Sequence, residues 1–516
     1  MVDSTAMNRI RALTTTGGRI FLGALLLGLL TGILSARAAD APPAISREFR
    51  AMWIASVGNI DWPTKPGLSV AQQQQELRVL LDGARSLKLN AVLLQVRTAC
   101  DALYASPYEP WSEYLTGRMG EAPGGGWDPL KFACTEAHAR GLELHAWVNP
   151  FRARYHQAIS PISKDHVSSR HPDWVVSYVK HLWLDPGNPA AREWSLKVIT
   201  DIVRRYDIDG LHMDDYFYPY PEKAGGVPIP FPDDPSYARY RRSGGTLERD
   251  DWRRDCINSF VQQLNSSIHS TKPWVKFGIS PFGIWRPGFP AGIKGFDAFA
   301  QLHADARLWL QNGWCDYCAP QLYWSLDRKD QNFQSLLRWW IEQNPHGRWI
   351  VPGLASASIG KDRTADDTAN QIRITRQEGG AAGVVFWNSS SLRDNLGGIS
   401  VGLGRELFAR PAIVPAAPWL GRRAPERPIL EGRFLPRPGA IRLAWKPGSG
   451  EPTSVLVMQS RTGSQWTTEV IGAIPGGREI PRRRGVAFPD EVRLIPVGRT
   501  GALGESAVWN RPEGVR

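Results

Sequence analysis

The chain has 516 residues, 42% hydrophobic and 22% charged, which excludes a disordered protein and favours a globular one. It is longer than one ordinary domain, and a barrel of about 250 residues or more with a smaller module fits that length. The formal net charge of +12 favours an anionic cell wall or membrane surface as a neighbour. The 22 tryptophans supply flat aromatic faces for a core or for stacking on sugar rings.

Residues 1–38 are interpreted as a signal peptide. Three arginines precede an apolar run over residues 20–34, and Ala36-Arg37-Ala38 then fits a small-x-small cleavage site. The run is shorter than the roughly 20 residues that span a bilayer. An uncleaved anchor is the alternative, and only in that case does the chain contact a membrane. The sequence therefore predicts an exported protein, periplasmic or secreted, for which nucleic acid is not a partner.

Residues 47–410 form the predicted barrel domain. From Phe49 to about Ser390 the chain repeats one unit, a short apolar run rich in β-formers followed by a loop and a helical stretch. Eight such strands are predicted, over residues 49–55, 90–96, 142–148, 208–213, 275–280, 317–323, 349–354 and 383–387. Helical spacing occurs over residues 71–87, 127–140, 190–206, 251–270 and 366–378. This alternation predicts an α/β fold, the (β/α)8 TIM barrel. An open doubly wound sheet is the competitor, but no phosphate-binding glycine fingerprint follows the first strand.

Two connections are far longer than a barrel needs, from residue 149 to 187 and from residue 216 to 250. Both follow predicted strands, so both belong to the C-terminal face, where such barrels build their sites. Their Tyr, Pro, Arg and Asp content suits the walls of a groove.

The residue composition changes after Pro411. Residues 411–428 are rich in proline and predict a semi-rigid linker. Residues 429–516 alternate apolar and polar positions between Gly and Pro turns, which predicts a small all-β sandwich.

Five cysteines leave at least one thiol unpaired. Cys315 and Cys318 form a CxxC pair, but they fall on a predicted strand, where residues three apart point to opposite faces. That arrangement suits neither a zinc site nor a redox pair. The sequence predicts no metal site and no other cofactor.

The segment from Asp209 to Pro221 carries the sharpest chemical signal. A strand here ends in Asp214 and Asp215, with His212 before them and Tyr216 after them. Unpaired charges are too costly to bury as core, and alternation places His212 and Asp214 on one side of the strand. Glycosidic cleavage uses a proton donor and a second group that supports the oxocarbenium-like centre, and two carboxylates in different environments supply both. Asp214 and Asp215 are therefore the catalytic candidates.

The other strand ends offer mostly polar residues that are not acids, which suits a hydroxylated, partly apolar ligand. The predicted substrate-binding residues are Trp53, Arg97, Asp101, His145, Asn149, Arg152, His212, Tyr216, Gln321, Tyr323, Trp324 and Trp387.

The barrel resembles the bacterial glycosyl-hydrolase-like family ten. The stretches that carry the resemblance are RAMWIA (50–55), QVR (95–97), DALY (101–104), EPWS (109–112), AWVNP (146–150), LDPG (184–187), GLHMDDYFYP (210–219), ISPFG (279–283) and APQLYW (319–324). They occur in order over nearly the whole barrel. That family includes a division-site hydrolase of peptide-free peptidoglycan glycans, so the resemblance implies a polysaccharide substrate of this kind. The C-terminal sandwich resembles a fibronectin type III module.

The fourth strand is also similar, more distantly, to that of chitinase-like hydrolases, which reads Asp-Gly-x-Asp-x-Asp-x-Glu. Asp209, Gly210 and Asp214 match, His212 replaces the middle Asp, and Tyr216 stands where the proton-donating Glu is expected. Tyr323 and Trp387 match the family's tyrosine and the tryptophan under the reacting sugar. From the paired acids beside the absent Glu, we hypothesise that Asp214 orients or stabilises the reacting centre. Asp215 then donates the proton, or an acid from a long loop such as Asp101 or Asp185 does.

These observations predict an exported glycoside hydrolase that acts on an N-acetylated glycan, namely peptidoglycan. Two alternatives remain open from the sequence: a glycan-binding barrel without catalysis, and a hydrolase of another exported polysaccharide.

Overall fold

The computed structural model describes residues 41–435, 439–482 and 487–514, so the predicted signal peptide lies outside the described residues. Within these ranges no helix is long and apolar enough to cross a membrane. All five cysteines are buried and carry free thiols.

Eight parallel strands form the barrel that the sequence predicts. Their bounds are β1 Phe49–Ile54, β2 Ala91–Arg97, β3 Glu143–Val148, β4 Gly210–Met213, β5 Lys276–Ile279, β6 Tyr317–Cys318, β7 in two segments, Trp349–Ile350 and Gly353–Leu354, and β8 Gly383–Phe386. Neighbours in sequence pair with each other, and β8 returns to β1 with Phe49 opposite Gly383. The first segment of β7 pairs with β6 and the second pairs with β8, which closes the cylinder.

A helix follows each strand. The eight helices are α1 Val70–Ser86, α2 Pro129–Ala139, α3 Pro189–Arg205, α4 Arg249–Thr271, α5 Ala306–Gln311, α6 Phe333–Glu342, α7 Ala365–Gln377 and α8 Ile399–Arg405. Local sequence explains the starts: Ser69 and Gln72 form a capping box on α1, and Asp128 caps α2 ahead of a proline. The five helices predicted from spacing are confirmed with ends within two residues.

The two long connections contain helices and strands of their own, which the spacing of apolar residues does not predict. The first holds a three-stranded antiparallel sheet of Arg152–Arg154, His181–Leu184 and Val175–Tyr178. The second holds a two-stranded hairpin, Lys223–Ala224 with Val227–Pro228, and the helix Asp234–Arg242. Other short helices and turns lie at Val57–Asn59, Glu113–Thr116, Gly124–Gly126, Val167–Arg170, Pro172–Trp174, Ala298–Gln301, Lys329–Gln331, Ser356–Ser358, Ser389–Arg393 and Leu396–Gly398.

Alternate residues of the strands fill the barrel interior, among them Phe49 and Trp53 of β1. Polar aromatic side chains share this interior, and glycines make room for them. A Cβ at Gly278 would lie 1.8 Å from the ring of Tyr317, and one at Gly210 would lie 2.4 Å from the ring of His145. Both glycines are therefore required by close approach.

Gly278→Ala is expected to destabilise the protein by about 1–3 kcal/mol, the usual range for overpacking a core. The added methyl group would force the buried Tyr317 ring out of its position. The free energy of unfolding from a denaturant titration checks this. Gly83→Ala, in α1 with open space around its Cβ position, is the control and should not destabilise the protein.

The C-terminal region forms two antiparallel sheets, as predicted for a sandwich. Its strands are β9 Ile429–Leu435, β10 Ala440–Lys446, β11 Thr453–Thr462, β12 Gln465–Gly472, β13 Gly476–Pro481, β14 Glu491–Gly498 and β15 Ala507–Asn510. One sheet has the order β9-β10-β13 and the other has the order β12-β11-β14-β15. Ile441 and Leu443 of the first sheet meet Leu456 and Leu494 of the second in a shared core.

The first half of the predicted linker packs against the N-terminal end of the barrel. Val414 and Ala417 are buried with interior residues of the barrel. Trp419 lies edge-on to Trp349 and donates to Asp316 at 2.8 Å. This half of the segment is part of the barrel floor, because its apolar residues cover the open end of the cylinder.

Candidate active site

A cleft of about 270 Å³ opens at the C-terminal ends of the barrel strands. Aromatic, amide and acidic side chains from most of the strands line it. The lining residues are Trp53, Val57, Ile60, Gln95, Trp147, Arg152, Tyr155, Asp214, Asp215, Tyr216, Tyr220, Ser280, Gln321, Tyr323 and Trp387. This end of the barrel is where the fold ordinarily carries its chemistry.

Asp214 lies directly after β4 and is 5% exposed. Burial raises the pKa of its carboxyl group above the usual value, and the charge of Arg152 and a hydrogen bond from Asn149 offset only part of that rise. The Asn149 Nδ2 atom donates to Asp214 Oδ1 at 2.6 Å. Arg152 in turn donates to the Asn149 side-chain oxygen at 2.7 Å, so the amide is fixed with its nitrogen toward the acid. These partners favour the ionised form of Asp214.

Asp215 is held differently. Burial and the neighbouring charge of Asp214 raise the pKa of Asp215 to about 7, and hydrogen bonds from Tyr220 and Gln321 only partly offset that rise. The Tyr220 hydroxyl donates to Asp215 Oδ2 in a short hydrogen bond. The two adjacent carboxyl groups therefore have unlike environments, in which Asp215 keeps its proton more readily than Asp214.

Tyr220→Phe is expected to shift the alkaline limb of the pH–activity profile to higher pH. The phenol hydrogen bond stabilises the ionised Asp215, so its loss raises the pKa of that acid further. If protonated Asp215 is the active form, kcat/KM then persists to a higher pH than in the wild type. Profiles of kcat/KM from pH 5 to 9 check this. An unmoved or acid-shifted limb would contradict the assignment.

Three tryptophans form the apolar part of the cleft. The rings of Trp53 and Trp147 each meet Trp387 edge-on, with centroids 6.2 and 6.1 Å apart. Arg152 belongs to the polar part of the cleft. Its guanidinium lies 5.0 Å from the ring centre of Tyr216. Flat aromatic faces beside hydrogen-bonding groups suit a sugar ring, which has apolar faces and a polar rim.

The cleft contains both predicted catalytic residues and six of the predicted substrate-binding residues, Trp53, Arg152, Tyr216, Gln321, Tyr323 and Trp387. Asn149 and His212 lie directly behind it, because they contact Asp214 and Trp53 respectively. Trp324 lies beside it, edge-on to Phe282.

Arg97, Asp101 and His145 do not line the cleft. An irregularity in the pairing of β2 between Gln95 and Arg97 breaks the alternation there. Arg97 is accordingly buried against Glu109, with nitrogen–oxygen distances of 2.8 and 2.6 Å. Asp101 accepts from Thr98 and Ala99 in its own loop. His145 faces the interior as alternation requires, but it lies one layer below Trp147 and contacts Tyr317.

The loop acids suggested as alternative proton donors also lie away from the cleft. Asp185 accepts from the Ser236 hydroxyl and from the Gly187 backbone at 2.8 Å, and Asp101 is bound as described above. Asp215 is therefore the acid that the structure offers for proton donation next to Asp214.

The predicted substrate-binding residues do not include five polar or aromatic residues of the lining, namely Gln95, Trp147 and Ser280 at strand ends and Tyr155 and Tyr220 in the long connections. The three strand-end residues belong to the polar strand ends that the sequence indicates, and each occupies an inward position of its strand. Tyr220 belongs to the segment with the sharpest signal, but the course of a long connection does not follow from periodicity, so its place beside Asp215 could not be predicted. The same holds for Tyr155.

A larger cavity of about 590 Å³ lies at the opposite end of the barrel, near the start of β1 and β8. Three of its charged groups bind one another: Arg50 and Arg376 both bind Glu48, at 2.6 and 2.8 Å. It contains neither of the unlike carboxyl groups, so the smaller cleft is the candidate active site. Among residues 41–435, 439–482 and 487–514 no group of three or more His, Cys, Asp or Glu is placed to hold a metal ion.

A closed (β/α)8 barrel with two unlike buried acids in an aromatic cleft at its C-terminal mouth defines the glycoside-hydrolase class of barrel. Residues 48–370 match the family described as Glycosyl hydrolase-like 10, and the chain belongs to that family.

Two named relatives agree with this assignment. Glycosyl hydrolase YngK of Bacillus subtilis is 43% identical over 401 residues, covering 74% of this chain and 76% of its own length. Glycosyl hydrolase DigH of Escherichia coli K12 is 33% identical over 349 residues, covering 63% of this chain and 77% of its own length. Among solved structures, the catalytic domain of beta-amylase from Paenibacillus polymyxa is similar with a TM-score of 0.49 and 11% identity, covering 71% of this chain and 99% of its own.

Proposed function

We propose that the protein is an exported glycoside hydrolase that cleaves an N-acetylated glycan, specifically the glycan strands of peptidoglycan. The observation that carries the hydrolase proposal is the pair Asp214 and Asp215, of which Asp215 has a pKa raised to about 7. The family membership supports glycosidic chemistry in general. The predicted signal peptide, the net charge of +12 and the resemblance to peptidoglycan hydrolases support the polymer.

In this proposal protonated Asp215 donates its proton to the glycosidic oxygen as the bond to the anomeric carbon breaks. Asp214, ionised and oriented by Asn149, stabilises the positive charge that develops on the sugar. A water molecule later supplies hydroxide to the anomeric carbon, and its second proton restores Asp215. Asp215 thus takes the role that falls to a Glu at the position of Tyr216 in chitinase-like enzymes.

The neutral form of Asp215 is what this chemistry requires near pH 7, since a carboxyl group of ordinary pKa would be ionised there. The hydrogen bond from Tyr220 holds the acid in one orientation. Trp387, which is only partly buried, offers an apolar face against which a sugar ring can stack, and Trp53 packs edge-on against it. We propose that Tyr323, also in the lining, binds the acetamido group of the substrate.

For the C-terminal region we propose a fibronectin type III module. Its three-stranded and four-stranded antiparallel sheets support this proposal.

A glycan-binding barrel without catalysis is the second candidate, favoured by Tyr216 in place of the expected Glu. The two candidates differ in whether bonds break. Residues 39–516 would be incubated with intact peptidoglycan, with peptide-stripped glycan strands and with chitin oligosaccharides, and the products read by mass spectrometry. We expect new sugar fragments from peptide-stripped strands.

Asp214→Asn is expected to abolish these fragments. Asp101→Asn is the matched control, because it makes the same change at a buried acid that only braces its own loop. If the protein binds a polymer but releases no fragments from any of them, the glycan-binding function replaces the hydrolase function. Fragments from chitin alone would retain the hydrolase and overturn the peptidoglycan assignment.

A further inference from the structure

We propose that a chain of hydrogen bonds across the barrel interior positions the floor of the cleft for catalysis. We call it the interior relay, and its members are Glu143, His145, Tyr317 and His212. Its catalytic consequence rests on the proposed function, whereas its proton arrangement does not. The two residues that it positions in the cleft are Trp53 and Ser280.

The relay is continuous. The Glu143 carboxylate lies 3.1 Å from His145 Nε2, and His145 Nδ1 lies 2.8 Å from the Tyr317 hydroxyl. The same hydroxyl lies 3.0 Å from His212 Nδ1. His212 Nε2 then lies 3.1 Å from both the Trp53 indole nitrogen and the Ser280 hydroxyl, which line the cleft.

The ends of the relay fix the direction of every hydrogen bond. The Trp53 indole can only donate, so His212 Nε2 must accept and the His212 proton lies on Nδ1. That proton is donated to the Tyr317 oxygen. The Tyr317 hydroxyl is fully buried, so its own hydrogen needs an acceptor, and His145 Nδ1 is the other described group within hydrogen-bond distance of it. His145 then carries its proton on Nε2 and donates it to Glu143, which as a carboxylate can only accept.

The direction has a consequence in the cleft. Because His212 Nε2 has no proton, the Ser280 hydroxyl cannot accept from it. The hydroxyl hydrogen instead shares the single Nε2 lone pair with the Trp53 indole N–H, and the Ser280 lone pairs face away from the ring. Ser280 is thereby an acceptor for a hydroxyl or amide N–H of the substrate, while the Trp53 ring is held at one angle. The accepting Ser280 hydroxyl and the fixed Trp53 ring both determine specificity. Both depend on a His212 ring that has one orientation and one protonated nitrogen.

The barrel is built around the relay. His145, His212 and Tyr317 are fully buried, and the absent side chains of Gly210 and Gly278 provide the space for His145 and Tyr317. Burial also lowers the pKa of His212 well below its usual value, in keeping with a neutral ring. Unlike the apolar layers usual in such barrels, this interior keeps a fully paired polar chain.

The far end of the relay is anchored from outside the barrel. Lys276 Nζ donates to Glu143 at 2.9 Å and to the backbone carbonyl of Arg499 at 3.0 Å. Arg499 belongs to the C-terminal region and binds Asp207 and Asp209 at 2.6 Å each. The sandwich thus completes the hydrogen bonds of the lysine that binds Glu143.

Tyr317→Phe tests the relay, because it deletes the one oxygen that joins the two histidines. Tyr218→Phe is the matched control: this tyrosine is equally buried, packs on Phe231 and His303, and its hydroxyl has no partner among the described residues. We expect Tyr317→Phe to lower kcat on peptide-stripped glycan at least about tenfold, because a sugar that contacts Trp53 and Ser280 is no longer held in its reacting position. Tyr218→Phe should retain wild-type kinetics.

The second readout is the protonation of the histidines in the full chain, measured by nitrogen-15 NMR with labelled histidine and assigned with His212→Gln and His145→Gln. We expect His212 protonated on Nδ1 and His145 on Nε2, with the His212 signals changed in Tyr317→Phe only. His212 protonated on Nε2, or spectra and kcat both unchanged in Tyr317→Phe, would overturn the proposal. If the wild type cleaves no glycan, the proposed function fails while the NMR result still decides the relay.

Discussion

Asp215→Asn is expected to lower kcat for glycan hydrolysis by about 10²–10⁴-fold, the usual contribution of a general acid. The amide keeps the size of the carboxyl group and can still accept the hydrogen bond from Tyr220, but it has no proton to donate to the leaving oxygen. Steady-state kinetics on peptide-stripped glycan strands measure the effect. Retention of more than about a tenth of wild-type kcat would remove Asp215 from the donor role.

The same variant should remain folded and should gain stability at alkaline pH. The pKa of Asp215 is about 7 in the folded state and about 3.9 in an unfolded chain, so the folded state binds the extra proton between these values. The wild type therefore loses stability as pH rises from about 4 to 7, a loss that Asn cannot share. We expect a higher Tm for Asp215→Asn than for the wild type at pH 8 and a much smaller difference at pH 4.

Glu109→Gln is expected to lower the free energy of unfolding by about 3–5 kcal/mol, the usual cost of leaving a buried charge without its partner. Arg97 and Glu109 are both fully buried and joined by two hydrogen bonds. Trp194 of α3 donates to the same carboxylate at 3.2 Å, so the pair ties β2 to the helix layer. Denaturant titration at pH 7 measures the loss.

Glu136→Gln is the control for this prediction. Glu136 also binds arginines, but its side chain is 19% exposed, and such pairs contribute about 0–1 kcal/mol. If Glu109→Gln changes KM but leaves the free energy of unfolding unchanged, the structural role assigned to Arg97 is contradicted. Arg97 would then count as a substrate-binding residue.

The fold was largely predictable because the sequence shows two clear patterns, one for strands and one for helices. Apolar runs mark the eight strands, and helical spacing with capping residues marks the helices, as at Ser69 and Asp128. The functional role of the carboxyl end of β4 was equally predictable, because two adjacent acids that follow a buried strand cannot serve as core residues. Asp214 and Asp215 accordingly lie together in the cleft.

Two kinds of information could not be predicted: how far a residue lies below the mouth of the barrel, and where the strand pairing or the course of a long connection is irregular. His145 points inward as alternation requires, but periodicity does not tell how far below the mouth a residue lies. Arg97 escapes the alternation because the pairing of β2 shifts beside it. Tyr220 reaches Asp215 from a long connection, whose path depends on tertiary contacts.

The most direct test of the central claim compares two leaving groups on the same N-acetylated sugar. A dinitrophenyl leaving group departs without a proton, whereas a sugar hydroxyl requires one. We predict that Asp215→Asn releases dinitrophenol in its first turnover at nearly the wild-type rate but fails on glycan strands, while Asp214→Asn fails on both. An equal loss of rate on both substrates in Asp215→Asn would contradict its role as the proton donor.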